Sequence, residues 1–335
     1  MKVAIVLNYR GVQWVAPDWF VEKLRAEFPN VEFDNRRSYD DMEDAIRDAD
    51  VLVTPSIRPE QIQPAKKLRW IQSTTAGVNQ FLFPEIVNSD IILTNASRVH
   101  GHPVAEHVIA LMFAVAKRIP SAVHMQQKHV WGKNNVTGEN TLREIRGSNL
   151  LILGLGSIGG EVARVASALG MNVIGIRANP QKGIDWLLAD DPARLRHEVH
   201  GPDKLLELLP RADFVVIAAP VIGATTHLID AEALARMKSD AYLINVARGA
   251  LIHESALIEA LKRKKIAGAA LDVFETEPLP PESPLWDLEN VLITPHQAGF
   301  ANRLWERLYA LFRENLHRFL DGKPLLGIVN KKAGY

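Results

Sequence analysis

The chain of 335 residues contains no cysteine, which excludes disulfide staples, thiolate metal sites and cysteine nucleophiles together. It also lacks an excess of either charge, with 39 basic against 39 acidic side chains. No broad field therefore favours nucleic acid or an anionic membrane, and any anion must be recognised by a local site. Long hydrophobic runs are missing at the start, where "MKVAIVLNYR" offers only "VAIVL" before Asn8. That is too short for a signal-peptide core or a membrane span and reads as a first strand. No solenoid repeat and no low-complexity tract is found. What remains is a soluble globular chain, expected in the cytoplasm, long enough for about two domains.

What is present alternates. "VAIVL" precedes a helical stretch around "PDWFVEKLRAEF", and "VLVTP", "LRWIQS" and "IILTNA" follow. Strand and helix in alternation predict parallel α/β architecture. At Pro103 the pattern changes to "PVAEHVIALMFAVAKRIP", with proline at a first helical position and apolar residues nearly all round. Such a helix must be buried, inside the chain or against a second subunit. From Asn149 a second series begins, "NLLILG", "NVIGI", "DFVVIAA", "AYLINV", "GAALDV" and "NVLITP". These six runs suit a complete doubly wound sheet. An amphipathic stretch from about Arg303 to Leu320 is expected to return as a helix. The boundaries expected are residues 1–99 with 297–335 for one domain and 100–296 for a second, inserted one.

The second series opens with "LLILGLGSIGGEVARVASALG", which carries Gly154, Gly156 and Gly159 in GxGxxG spacing. The spacing is weak by itself, but here it follows an apolar strand and opens a helical pattern. Gly154 permits the tight turn, Gly156 lets the backbone approach a pyrophosphate, and Gly159 lets helix and strand pack closely. Ligands of doubly wound sheets bind beyond the carboxyl ends of the strands. There "AYLINVARGALI" delivers Arg248, "GAALDVFETEPLP" delivers Asp272 and Glu277, and "NVLITPHQAG" delivers His296. Each alone is an ordinary surface residue; on neighbouring strand ends they form a constellation.

Together with "STTAGVNQF" and "HGHPVAEH", these stretches resemble the D-isomer-specific 2-hydroxyacid dehydrogenases over essentially the whole chain. The resemblance implies two Rossmann-like/flavodoxin-like domains with doubly wound parallel sheets, the coenzyme domain inserted into the substrate domain. It implies an enzyme that interconverts a small 2-oxo acid and its D-2-hydroxy acid, with Arg248, Glu277 and His296 as catalytic residues. His296 would be the general acid, since an imidazole exchanges protons near neutrality. Glu277 would orient the ring, and Arg248 would bind the substrate carboxylate and polarise the carbonyl. Asp272 matches a position that contacts the nicotinamide carboxamide, and Thr225 one near the cofactor; Ser157, Ile158, Pro220 and Ala247 join the cofactor set. Ala76, Gly77 and Val78 match a loop whose backbone N–H groups hold the substrate carboxylate. The resemblance also implies a homodimer built on the helix after Pro103. Relatives of this fold that act as nucleotide-sensing co-regulators, or as formate- or phosphite-type dehydrogenases, are the alternatives.

Where NAD-preferring relatives carry an aspartate after the second strand, "VIGIRANP" has Arg177. A guanidinium there would bond a 2′-phosphate that a carboxylate would repel, with Asn179 and Lys182 as further donors. NADP(H) is therefore the expected cofactor, with NAD(H) also accommodated. His100, His102 and His107 in "HGHPVAEH" lack an acidic ligand pattern, so no metal is expected. The basic run "LKRKK" reads as a solvated helix end, and Trp70, Trp131 and Trp305 fit either a core or a cleft.

Overall fold

The computed structural model describes residues 1–7, 15–133, 142–182 and 197–335. Among the described residues twelve strands run in the order β1 (Lys2–Val6), β2 (Glu32–Arg36), β3 (Val51–Thr54), β4 (Trp70–Ser73), β5 (Ile92–Thr94), β6 (Asn149–Leu153), β7 (Asn172–Ile176), β8 (His197–His200), β9 (Phe214–Ile217), β10 (Tyr242–Asn245), β11 (Gly268–Leu271) and β12 (Val291–Ile293). The longer helices among the described residues are α1 (Asp18–Glu27), α2 (Ser97–Ala116), α3 (Ile119–Gln127), α4 (Ser157–Ala168), α5 (Glu254–Lys262) and α6 (Leu304–Leu320). The chain divides into two compact units, Met1–His100 with Ala301–Tyr335, and Gly101–Phe300. All strand pairs are parallel, so the doubly wound α/β expectation holds in both units.

The first unit holds a five-stranded sheet in the order β2-β1-β3-β4-β5. Val3 and Ile5 turn to one face and Ala4 and Val6 to the other, each inside an apolar cluster, as the two-residue period of a strand requires. On the first face α1 and α6 lie side by side. Phe20 meets Trp305 at 6.0 Å and Tyr309 at 5.7 Å between ring centres, while Phe28 meets His317 at 4.6 Å. The two helices therefore run in the same direction. Because α1 leads from β1 back to β2, it starts at the carboxyl edge of the sheet, and so does α6. Trp70 is fully buried, stacks on Phe312 at 5.5 Å and donates its ring N–H to Thr94 Oγ1 at 2.8 Å.

The second unit holds a seven-stranded sheet in the order β12-β11-β10-β9-β6-β7-β8, one strand more than the six apolar runs. The addition is β8, "HEVH", at an edge, partly exposed along its length. Its counterpart in the first unit is β2, "EFDNR", also at an edge. Edge strands take charged side chains without cost and thereby discourage pairing with other chains, so neither advertises itself by hydrophobicity.

Helix α2 begins at Ser97, six residues before the proline that was expected to open it. The backbone N–H of Ser97 is received by Asn95 Oδ1 at 3.2 Å, and Pro103 lies inside the helix, at the cost of the bond its missing N–H would make. The early turns escape an apolar pattern because His100 is polar and buried, its Nε2 3.0 Å from Thr74 O. Beyond the proline, Val104, Val108, Leu111, Met112 and Val115 enter a core with Leu150 and Ile152 of β6. The helix is long and apolar enough to cross a membrane by length and composition, yet 61% of its apolar window is buried within the protein.

Candidate active site

The sheet order of the second unit reverses between β6 and β9, a switch point that opens a crevice beyond the strand ends. The glycine loop lies there. Gly154 has φ +98°, and a Cβ on it would come within 2.7 Å of Ala218 O and Ala219 N. A Cβ on Gly159 would come within 1.9 Å of Gly154 O, whereas one on Gly156 would meet nothing within 4 Å. The first and third glycines are thus required by the protein's own packing, and the second faces open space. Gly156 is the N-cap of α4 and supplies no side-chain acceptor. The N–H groups of Ser157, Ile158 and Gly159 therefore have no intrahelical partner and favour an anion.

Arg177 follows β7 directly, its backbone N–H held by His200 O at 3.0 Å, while Gly154 N–H bonds Ile176 O at 2.9 Å. The arginine and the glycine loop accordingly leave adjacent strands side by side. Asn179 is exposed, and the side chain of Lys182 lies outside the described residues. In the loop after β9, Thr225 Oγ1 donates to Pro220 O at 2.7 Å and receives the Ile222 N–H at 2.9 Å. Thr225 thus holds its own turn in shape.

His296, Glu277 and Arg248 come together. His296 Nδ1 donates to Glu277 Oε2 at 2.6 Å, and Glu277 Oε1 receives the Phe274 N–H at 3.0 Å. Burial pushes the Glu277 carboxyl up, but the bonds from His296 and Phe274 and the charges of His296 and Arg248 outweigh it and hold it below the usual carboxylate range. The acid is thus an anion beside the imidazole. His296 has φ +50°, a left-handed conformation that costs energy for a residue with a Cβ and gathers at functional positions. Arg248 stands on an extended residue ahead of a short turn. That turn is tied by fully buried Asn245, which donates to Arg248 O at 2.9 Å and receives the Ala247 N–H at 3.1 Å.

Asp272 has a role that its spacing did not reveal. It is 1% exposed, and its carboxylate receives Thr294 Oγ1 at 2.5 Å, Gln297 N–H at 2.9 Å and Ala298 N–H at 3.0 Å. Its carbonyl also receives the His296 N–H at 2.9 Å. One buried side chain therefore braces the turn on both sides of the His296 imidazole. His107, from α2, lies 3.1 Å from Thr294 Oγ1 and 3.6 Å from Asp272 Oδ1; burial lowers its pKa and the Asp272 charge opposes this. The only sequence sign of this network was Thr294 within "TPHQAG".

The other two histidines part company. His100 joins the first unit as described, and His102 Nδ1 lies 2.8 Å from Glu161 Oε1 on α4, where Arg164 also pairs with the acid at 2.6 Å. Among the described residues no group of three or more His, Cys, Asp and Glu is placed to hold a metal ion.

In the first unit, the loop after β4 is braced by Thr75 Oγ1, which donates to Gly77 O at 2.7 Å, and by Gln80 Nε2, which donates to Pro55 O at 2.9 Å. Among the described residues the backbone N–H groups of Ala76, Gly77 and Val78 donate to no protein acceptor. Free N–H groups in a braced turn form an anion-binding nest.

Residues 109–298 match the model of the D-isomer specific 2-hydroxyacid dehydrogenase, NAD binding domain. The chain is 34% identical over 291 residues to a glyoxylate reductase of Thermofilum pendens, covering 86% of this chain and 83% of that one. The chain belongs to this family of dehydrogenases. It is also 35% identical over 311 residues to a D-3-phosphoglycerate dehydrogenase of Methanocaldococcus jannaschii, covering 92% of this chain but 57% of that relative, so it spans little more than half of the longer protein. Among solved structures, an NADPH-dependent glyoxylate/hydroxypyruvate reductase from Sinorhizobium meliloti, in complex with NADP and sulfate, superposes with a TM-score of 0.81 at 26% identity. That likeness covers the whole of both chains, 100% of each. Within this 2-hydroxyacid dehydrogenase, the family match covers the glycine loop, Arg248, Asp272, Glu277 and His296.

Proposed function

We propose that this dehydrogenase reduces a small 2-oxo acid to its D-2-hydroxy acid and prefers NADPH. The observation that carries the reading is the 2.6 Å bond between His296 Nδ1 and the anionic Glu277. A dihydronicotinamide cofactor, which the glycine loop and the start of α4 would hold by its pyrophosphate, would supply the hydride for C2 of the substrate. With Nδ1 committed to Glu277, the proton must leave from Nε2 of His296 to the carbonyl oxygen, completing the hydroxyl; in the reverse direction Nε2 takes it back. The Arg248 guanidinium, always charged, stabilises the oxygen as negative charge develops and holds the neighbouring carboxylate. In the first unit, Ala76, Gly77 and Val78 offer unspent N–H groups that suit a substrate carboxylate. The glycine loop and the start of α4 suit a pyrophosphate, and Arg177 suits a 2′-phosphate. The printed name of the Sinorhizobium meliloti structure, an NADPH-dependent glyoxylate/hydroxypyruvate reductase, is in keeping with both choices.

A homodimer belongs to the same reading. Helix α3 has no buried residue, and Phe113, Ile119, Val123, Val130 and Trp131 leave large apolar surface exposed, Trp131 at 93%. Exposed apolar side chains of this number suit a partner site; light scattering at micromolar concentration should give twice the chain mass, and a monomer would refute it. The activity is tested by mixing the enzyme with NADPH or NADH and a panel of 2-oxo acids while following nicotinamide absorbance. Oxidation of NADPH by at least one acid is expected, and silence across the panel would overturn the reading.

A further inference from the structure

Among the described residues, Arg307 Nη1 is the buried side-chain nitrogen or oxygen with no hydrogen-bond partner. A buried guanidinium nitrogen left unpaired costs stability, so its presence calls for an explanation by a ligand or a function. Its place in the fold supplies one. Arg307 stands in the first turn of α6, and α6 starts at the carboxyl edge of the first unit's sheet. At 100° per residue, Leu304, Leu308 and Leu311 form the inward stripe and are buried. Trp305 and Tyr309 fall on the flank that meets Phe20 of α1. Arg307 falls on the opposite flank. Phe312 and Asn315, on the inward face, meet Trp70 and Gln72 of β4, while α1 connects β1 and β2 at the other end of the sheet; the flank of α6 that faces away from α1 therefore lies toward β5, beyond the strand from which the 76–78 loop emerges.

We propose that Arg307 binds a second anionic group on the substrate, so that the preferred 2-oxo acid carries a distal carboxylate or phosphate. This rests on the reading above, in which the N–H groups of Ala76, Gly77 and Val78 take the carboxylate beside the oxo group. Those N–H groups and the unpaired Nη1 of Arg307 belong to one sheet edge of one unit, and two donor sites there suit a ligand with two anions. The carboxylate at one end gives every 2-oxo acid its anchor; the guanidinium distinguishes those with a second charge, through charge-assisted bonds. In the free protein the unpaired nitrogen is a stability deficit kept for binding, as functional sites commonly are.

The test pairs kinetics with melting, in wild type, Arg307→Met and Arg307→Lys. Oxaloacetate is compared with its neutral amide isostere 2-oxosuccinamate, and 3-phosphohydroxypyruvate with hydroxypyruvate, so the two pairs separate a carboxylate from a phosphate. Wild type should favour the doubly anionic member of at least one pair by roughly tenfold or more in kcat/KM, the worth of a charge-assisted bond. Arg307→Met should lose that advantage, falling at least tenfold further with the dianion than with its partner, and Arg307→Lys should restore part of it. In buffer alone the methionine variant should melt higher than wild type, and inorganic phosphate should raise the melting temperature of wild type more than that of the variant. Equal losses on both members of each pair, or no preference in wild type, would overturn the proposal while glyoxylate reduction still upheld the activity. Should no 2-oxo acid react, the phosphate-dependent difference in melting still decides the role of Arg307. Should the methionine variant not fold, Arg307→Gln takes its place in every comparison.

Discussion

Glu277 grips both the ring and the backbone of its surroundings: its Oε2 receives His296 Nδ1 at 2.6 Å while its Oε1 receives the Phe274 N–H at 3.0 Å. The imidazole is thereby fixed in orientation, with Nδ1 as donor and Nε2 left for chemistry. His296→Ala should lose about 100-fold or more in kcat, the usual worth of a general acid, with KM for the cofactor little changed. Glu277→Gln is more informative. An amide can still accept from Nδ1 and hold the ring, but it carries no charge to stabilise the proton that the ring must give up and regain, so kcat should fall roughly tenfold or more with KM for the cofactor little changed. Steady-state kinetics of the two proteins check this; an unchanged kcat would refute the electrostatic role of Glu277.

The burial of Asp272 leads to a second expectation. An asparagine has one acceptor oxygen where the carboxylate offers two, and its amide N–H₂ would confront either the Ala298 N–H or, turned over, the Gln297 N–H. Leaving a buried donor unsatisfied costs about 1–3 kcal/mol. Asp272→Asn should therefore lower the melting temperature and also kcat, because the turn that carries His296 loosens. Loss of cofactor binding with melting and kcat unchanged would point instead to a direct nicotinamide contact.

The sequence made some of these features readable and hid others for physical reasons. Strands buried on both faces, such as β6 with Leu150 to Leu153, are apolar without interruption, and the glycines of the loop are dictated by contacts shorter than a Cβ allows. Arg248, Glu277 and His296 stood out in the sequence because each lies within six residues after an apolar strand of the second sheet. Edge strands β2 and β8 were not, since their polar residues serve solvent rather than the core. The start of α2 was missed because its first turns bury polar His100 beside Thr74. Asp272 and Arg307 show the remaining limit: whether a charge is paired, and with what, depends on residues distant in the chain.

A third expectation concerns stability against acid. Glu27 on α1 joins Arg313 and His317 on α6, both at 2.7 Å. The bonds from Arg313 and then His317 lower its pKa from 4.5 to about 2. A carboxylate whose folded pKa is depressed stabilises the fold above its ordinary pKa, and that contribution is lost as pH falls toward the folded value. The window is thus from about 4.5 down to about 2. The cluster is largely solvated, so its worth is limited to about 1 kcal/mol or less. Denaturant melts of Glu27→Gln should show a small deficit near neutral pH that closes toward pH 2. A deficit independent of pH would assign the effect to packing alone.

Arg177 decides the last expectation. Its backbone is fixed by the bond from its N–H to His200 O at 3.0 Å, on the strand end beside the glycine loop. An acid at this place accepts from the ribose hydroxyls of NADH and repels a 2′-phosphate, whereas a guanidinium bonds the phosphate with planar, charge-assisted geometry. The bond is worth about 1.5–3 kcal/mol, or roughly ten- to a hundredfold in affinity. Wild type should therefore show a higher kcat/KM with NADPH than with NADH at a fixed 2-oxo acid concentration. Arg177→Asp should reverse the order, because it removes the attraction and adds a repulsion, and the change should fall mainly in KM for the nucleotide. Salt offers an internal control: screening weakens a charge-assisted contact, so the NADPH preference of wild type should shrink as ionic strength rises, while NADH kinetics change less. A wild-type ratio that favours NADH would leave Arg177 as a surface charge beside the adenosine and transfer the choice of cofactor to other residues of the crevice.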